Sequence, residues 1–160
     1  MAGNLDGILG KVVYSLVVVT TSVGGKPFGM TAAWVSKVSS EPLMLAVSLS
    51  HKSFTSSQIK EKGFLGINLL GTGGKAAAHH FGSQSGRDVD KFAGMEFKFS
   101  GLGNPILNQG TVAFIDCKVV RHMEAGDHTL FLAEMLDGCL GTELWPLAYC
   151  AKKFYKLSEI

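Results

Sequence analysis

From Lys11 to Ser22 the chain runs through valine, threonine and tyrosine with neither glycine nor proline. Side chains branched at Cβ are stiff at χ1 and pack well on a pleated surface, so this run is a strand, and it needs partner strands from the rest of the chain. Gly24-Gly25-Lys26-Pro27 is a turn, because glycine takes positive φ without steric cost. Phe28 to Val38 returns as the second strand. Leu43 to Leu49 is nearly continuous in apolar residues, which predicts a strand buried on both faces. Phe64 to Leu70, Met95 to Ser100 and Thr111 to Met123 are further strands, the last two joined by Gly101-Leu102-Gly103-Asn104-Pro105. Alternation along Thr111 to Val120 turns Ala113, Ile115, Cys117 and Val119 toward the core, and Val112, Phe114, Asp116 and Lys118 away from it. Glu124-Ala125-Gly126-Asp127 is a hairpin turn, and His128 to Met135 is the returning strand. Gly138 to Gly141 reads as another turn, Trp145 to Cys150 as an edge strand broken by Pro146, and Phe154-Tyr155 closes the chain. Seven or eight strands, with twenty glycines spread among them, predict a mainly β antiparallel barrel, with a sandwich as the alternative.

A few short helices interrupt the strands. Leu5 to Leu9 is a helical lead-in. His51 to Lys60 reads as a loop entering a helix, with Ser53 as N-cap and Gly63 as the C-terminal stop. Thr55, Ser56 and Ser57 place hydroxyls in its first turn, beside unpaired N–H groups and the positive end of the helix dipole. Such a terminus accepts an anion, most often phosphate, although a plain capped helix has the same signature. Lys75 to Phe81 is a second short helix, ended by Gly82. Its adjacent histidines, His79 and His80, point about 100° apart and do not converge on a metal. Gly82 to Gly86 is a flexible loop, and Arg87 to Phe92 is polar with one aromatic plug.

Length and charge narrow the function classes. The 160 residues fit one domain, 1–160. Net charge is only +2, which gives no argument for nucleic acid or for an acidic membrane surface. The early apolar run Val12 to Val19 is interrupted by Tyr14 and Ser15 and falls far short of the roughly 18 residues of a membrane span. The first residues lack the basic region and apolar core of a signal peptide, so the expected location is cytoplasmic. Cys117, Cys139 and Cys150 are odd in number and far apart, which predicts free thiols. A mean hydropathy of +0.24 is high for a small monomer and predicts apolar surface covered by a second copy. Gly101-Leu102-Gly103 lacks the third glycine and following helix of a dinucleotide fingerprint, so no separate nucleotide-binding domain is expected.

The stretch Phe28-Gly29-Met30-Thr31-Ala32-Ala33-Trp34-Val35-Ser36-Lys37-Val38-Ser39 carries small residues where a packed strand would prefer bulk. Alternation sets Thr31, Ala33 and Val35 on one face and Met30, Ala32 and Trp34 on the other. Space beside an indole suits a flat aromatic ligand, and ordinary close packing is the competing reading. The chain order around this stretch resembles the flavin reductase-like family of FMN-binding split barrels. The matching pieces are Val17-Val18-Val19-Thr20-Thr21, Gly29-Met30-Thr31-Ala32, Ser36-Lys37-Val38-Ser39 with Glu41-Pro42, His51-Lys52-Ser53-Phe54-Thr55, Asp90-Lys91-Phe92 and Gly126-Asp127-His128-Thr129-Leu130-Phe131.

That resemblance implies a split barrel with Greek-key connections and a homodimer with a flavin near each subunit interface. It implies FMN as cofactor, with Ser53, Thr55 and Lys91 at the phosphate. It also implies that Trp34 and the backbone of Thr31, Ala32 and Ala33 lie near the ring, that Gly29, Met30 and Ser36 belong to the cofactor site, and that Phe154 approaches from the chain end. His128, leaving a tight turn, is the candidate catalytic residue at the open edge; a turn-capping histidine is its plainer reading. Many family members have asparagine before the glycine of the second strand, where this chain has Phe28, which bears on donor choice and flavin affinity. The expected activity is electron transfer from NAD(P)H through bound flavin to free flavin, ferric iron or a partner protein. A non-enzymatic electron carrier between protein partners, such as a rubredoxin, is the alternative, and a flavin-free binding barrel is the third reading. Any nicotinamide nucleotide would bind in the cleft over the flavin.

Overall fold

The computed structural model describes residues 4–143 and 145–160. The β-branched run forms β1 (Tyr14–Ser15) and β2 (Val17–Val23), preceded by α1 (Leu5–Leu9). Gly24 and Gly25, at φ 59° and 78°, turn the chain into β3 (Lys26–Ala32), whose pairing with β2 begins at Val23 and Lys26. Then come β4 (Val35–Ser40), β5 (Leu43–Ser50), α2 (Phe54–Lys62) and β6 (Phe64–Leu70). A 3-10 turn (Thr72–Gly74) leads into α3 (Lys75–Ser83), and after it comes the short hairpin β7 (Phe97–Phe99) and β8 (Pro105–Leu107). The long hairpin β9 (Thr111–Ala125) and β10 (His128–Leu140) precedes the terminal hairpin β11 (Leu147–Cys150) and β12 (Lys153–Lys156).

Seven strands form one antiparallel sheet in the order β3-β2-β6-β9-β10-β5-β4. Its two edge strands, β3 and β4, are joined by Ala33 and Trp34 alone. The edges therefore meet at that corner, and the sheet must roll into a barrel that stays split beyond it. Consecutive strands β5 and β6 are separated in the sheet by β10 and β9, so the connection through α2 crosses the barrel end in Greek-key fashion. Small sheets β1-β11-β12 and β7-β8 flank the barrel.

Period-2 alternation fills the barrel. Val17 and Val19, Val47 and Leu49, Leu65 and Ile67, and Phe131 and Ala133 point inward and pack with Cys117, while Ile59 of α2 closes the end. A second core lies outside β2, where Leu16 and Val18 pack against Ala78 and Phe81 of α3 and against Phe92, Leu107 and Leu147. β2 is thus buried on both sides.

Several sequence expectations change. Lys11 to Ser22 is two strands, because Leu16 turns aside to exchange hydrogen bonds with Leu147 and Leu70. Phe28 to Val38 is also two strands, broken at the barrel corner. β5 buries Val47 and Leu49, but Leu43 at its start is exposed, so it is not buried on both faces in the single chain. On β9 the face opposite Cys117 is buried as well: Phe114 and Asp116 lie under the β7–β8 flap side of the barrel. Gly138 lies within β10, where a Cβ would come within 2.7 Å of the Phe114 carbonyl oxygen; it permits a close strand approach and makes no turn. Gly82 lies inside α3, and Pro105, expected in the linker, begins β8 and pairs with Phe99.

Asn68 ties the flap to the barrel. Its Nδ2 donates to the carbonyls of Val18 (3.3 Å) and Pro105 (3.1 Å) and to Thr20 Oγ1 (3.2 Å), and its Oδ1 accepts from Leu107 N–H at 2.8 Å. Asn68→Leu strands the Leu107 N–H in a dry site, where an unmade hydrogen bond costs about 1–3 kcal/mol. The expected loss in urea unfolding is ~3 kcal/mol, since more than one partner is orphaned; an unchanged midpoint would show that the flap is held by its apolar contacts alone.

Candidate functional site

The barrel corner is where function-bearing residues collect. Three cavities run together along it, and Thr31 lines all three. Thr31 is held by its Oγ1, which donates to the Ala78 carbonyl oxygen at 2.6 Å and so fixes β3 against α3.

The first cavity, about 260 Å³, is polar and has the chemistry of an anion site. Ser53, Thr55 and Lys91 all line it. Ser53 is the N-cap of α2, with its Oγ accepting from Ser56 N–H at 3.4 Å, and Gly63 ends the helix at φ 76°. Thr55 is buried at the first turn of α2. Lys91 is only 6% exposed. Its Nζ donates to the carbonyls of Gly29 (3.1 Å) and Phe81 (2.8 Å), one from β3 and one from α3. An ammonium carries three N–H donors, so one remains for the cavity. No carboxylate pairs with it among the described residues, and burial alone pushes its pKa below the ordinary lysine range. His80 Nε2 meets the Lys91 carbonyl at 2.7 Å, and Asp90 Oδ1 accepts from Phe92 N–H at 2.9 Å, so the loop carrying the lysine is fixed from both sides. Phe92 is the aromatic plug, buried against Phe81 at a ring-centroid distance of 5.1 Å.

The second cavity, about 220 Å³, is walled by Met30, Ala32, Ala33 and Trp34, with Ser48, Ser50 and His128 opposite. Trp34 is half exposed, and its ring stands 4.6 Å from that of His128, tilted by 40°. His128 Nδ1 donates to Asp127 Oδ1 at 2.7 Å, and this hydrogen bond holds the Asp127 carboxyl below the usual carboxylate range. Behind the hairpin, Glu124 pairs with Lys60 at 2.8 Å and with His51, and the Lys60 hydrogen bond above all holds its carboxyl low as well. The third cavity, about 390 Å³, lies between α3 and the terminal hairpin and is lined by Ala78, His79, Tyr149 and Phe154.

The corner also corrects the face assignment. Met30, Ala32 and Val35 pack on the barrel core, while Ala33 packs on the second core with Thr31 held to α3. Val35 therefore sides with Met30 and Ala32, because the two-residue connector shifts the phase of the alternation. Gly29 is not in the ring-side cavities. A Cβ there would approach Phe81 Cε1 to 2.9 Å and Phe92 Cε2 to 3.3 Å, so its smallness seats the aromatic pair, and its carbonyl holds Lys91. Ser36 lies on the exposed face of β4 with its hydroxyl on the Lys37 carbonyl at 3.3 Å, apart from the three cavities. Phe28, in place of the asparagine, packs edge-on to Phe54 at 5.4 Å beside the anion cavity. Sequence reasoning missed Ser50, Lys52 and the 83–86 loop, all of which line the anion cavity. The run Ser83-Gln84-Ser85-Gly86 carries a signal in its hydroxyls, which its reading as a flexible loop passes over.

Taken together, the corner offers a buried cation and hydroxyls at one end, a flat wall of small residues beside an indole in the middle, and an imidazole at the edge. That donor set fits a planar ring carrying a phosphate tail.

A family model described as flavin reductase like domain matches residues 9–158. A ferric-chelate reductase (NAD(P)H) of Archaeoglobus fulgidus is 34% identical over 128 residues, covering 79% of this chain and 76% of that protein. The reductase component of 4-nitrophenol 4-monooxygenase/4-nitrocatechol 2-monooxygenase of Rhodococcus opacus is 31% identical over 147 residues, covering 92% and 76%. Among solved structures, flavin reductase PheA2 in its native state superposes with a TM-score of 0.85 at 31% identity, over 99% of this chain and all of that one.

Proposed function

The chain belongs to the flavin reductase-like family, and from that premise we propose that it binds FMN at the barrel corner and passes electrons from NAD(P)H to free flavin, ferric iron or a partner protein. The observation that carries the FMN reading is Lys91, a buried ammonium with a donor to spare, lining one cavity with Ser53 and Thr55. When bound, the flavin supplies a ring that takes hydride and releases electrons singly or in pairs. Lys91 and the hydroxyls of Ser53 and Thr55 hold the phosphate. The backbone of Thr31 to Ala33 and the Trp34 indole flank the ring. His128, kept in orientation by Asp127, stands at the edge where a donor arrives. Trp34 and the small residues of the wall exclude water from one ring face.

Two measurements test this reading. The purified protein should be yellow, and the flavin it releases should elute as FMN. Mixing with NADH or NADPH without oxygen should bleach the flavin band within seconds. A bound flavin that neither donor bleaches would favour the electron carrier, and a colourless protein that takes up no added flavin would remove the site.

A second copy completes this reading. Val38, Leu43, Val120, Met123, Leu136 and Leu140 are exposed on and around the β4–β5–β10–β9 side, Leu140 at 90%. Light scattering at low micromolar concentration should give twice 17.0 kDa. A monomer that still holds flavin would show that the site needs no partner.

A further inference from the structure

Met30 stands between the phosphate end and the ring end of the corner. It lines the anion cavity and the cavity walled by Trp34 alike, so a ligand that fills both passes over its side chain. Its other side packs on the barrel core. Its sulfur accepts a hydrogen bond from Ser53 Oγ at 2.8 Å. Ser53 has one hydroxyl proton to give, and in the flavin-free site it gives it to a thioether, a weak acceptor. We propose that Met30 is an oxidation site: hydrogen peroxide, formed when reduced flavin meets oxygen, converts it to the sulfoxide, whose oxygen captures the Ser53 proton and loosens FMN. The inference rests on the FMN reading.

The chemistry balances without a further reactant. Two electrons and two protons pass from the reduced ring to oxygen, which gives peroxide and oxidised flavin. A sulfur lone pair attacks one peroxide oxygen and the O–O bond breaks. The proton left on the attacked oxygen joins the departing hydroxide as water, and the sulfur has lost two electrons. Position selects the residue. The other described methionines, Met44, Met95, Met123 and Met135, line none of the three corner cavities. The thiols do not compete: burial pushes Cys117 up to about 12, and Cys139 and Cys150 line none of these cavities either. A charged phosphate outcompetes a thioether for the Ser53 hydroxyl, so the unoxidised side chain leaves that donor free for FMN. A sulfoxide is polar and holds an acceptor oxygen beside the same hydroxyl. Leakage of electrons to oxygen thus lowers the affinity of the site that leaks, and a methionine sulfoxide reductase reverses the change.

The test uses the FMN-loaded protein in air with NADH or NADPH, and with catalase present to destroy peroxide that escapes into solution. Peptide mass spectrometry reads the outcome. The tryptic peptide Val12–Lys37 has Met30 as its one methionine, and its fragment ions tell Met30 from Trp34. Met30 should gain one oxygen, while Met123, 54% exposed, stays as it was. Protein kept without oxygen should gain none. After turnover FMN should bind roughly tenfold more weakly and riboflavin within about twofold of before, since one hydrogen bond to a charged group is lost. A methionine sulfoxide reductase should restore FMN binding. Met30→Leu has no sulfur to oxidise and should keep its own FMN affinity through the same treatment. Met30 left unoxidised beside a turned-over flavin overturns the inference, as does equal oxidation of Met123 or an equal loss of riboflavin. If neither nucleotide reduces the flavin, light with EDTA reduces it instead, and the inference is tested although the donor reading falls. If the protein takes up no flavin, the FMN reading falls and the inference goes with it.

Discussion

Lys91→Met should weaken FMN by roughly 10- to 100-fold while leaving riboflavin affinity within about twofold of the parent. A charge-assisted hydrogen bond contributes roughly 1.5–3 kcal/mol, and ~1.4 kcal/mol is a factor of ten in affinity. Methionine keeps most of the buried stem, so the packing around Phe81 and Phe92 survives. The Lys91 ammonium also holds the carbonyls of Gly29 and Phe81, so the variant loses some fold stability as well. Riboflavin separates the two effects, because it has the ring and lacks the phosphate. If both ligands weaken alike, the lysine is a structural tie between β3 and α3, and the phosphate lies elsewhere. Thr55→Val should show the same pattern with a smaller loss, since it removes one neutral donor.

The same group sets a pH dependence. Burial holds the Lys91 pKa below the ordinary lysine range. A bound phosphate favours the charged lysine and raises that pKa again. FMN binding therefore takes up a proton once the free site has lost one. FMN affinity should stay level at neutral pH and fall as the pH climbs through the lowered lysine pKa, while riboflavin affinity stays flat there. Parallel titrations by fluorescence quenching read both; a riboflavin curve that falls with the FMN curve would point to unfolding.

His128→Ala should slow reduction of the bound flavin by roughly 10- to 100-fold, at or below the lower limit for a side chain that transfers a proton at a reacting centre, because the imidazole orients the donor. FMN affinity should change by less than about threefold, because the imidazole leans on Trp34 and Asp127 rather than on the phosphate end. The side chain is only part buried and supports neither core, so the variant should fold. Asp127→Asn keeps a hydrogen-bonding partner but removes the carboxylate, and should give an intermediate rate. Equal reduction rates in His128→Ala and parent, measured by anaerobic stopped flow, would leave His128 as a cap on the β9–β10 turn.

Much of the phosphate end is legible one element at a time. Ser53 reads as an N-cap because its oxygen can reach back to the first turn, and Gly63 as a stop because glycine accepts the left-handed conformation found there. Lys91 is different. By itself it is one more lysine in a polar loop, and only the resemblance of Asp90-Lys91-Phe92 singles it out. Nothing local in the sequence says that its ammonium is buried between carbonyls contributed by Gly29 and Phe81, far apart along the chain. Gly29 is the opposite case. Its position in the motif marks it for the cofactor site, and nothing local says that it also seats two phenylalanine rings.

The sequence by itself determined the features that depend on a few neighbouring residues: the β-branched strands, the Gly24-Gly25 and Gly126-Asp127 turns, the cap of α2 and the inward set of Ile115, Cys117 and Val119. Side-chain branching, backbone freedom and period-2 alternation produce these, and they act over one or two turns of chain. The tertiary structure decided where the alternation changes phase. At Ala33 and Trp34 the rolled sheet brings its own edges together, and Val35 changes sides because barrel closure outweighs continuity of a single strand. It also decided that Gly138 serves a close strand contact, that the 83–86 loop lines the anion cavity, and that Phe154 reaches α3 from the far end of the chain. Each of these depends on which distant strand supplies the neighbour, and that is settled by burying the whole sheet at once.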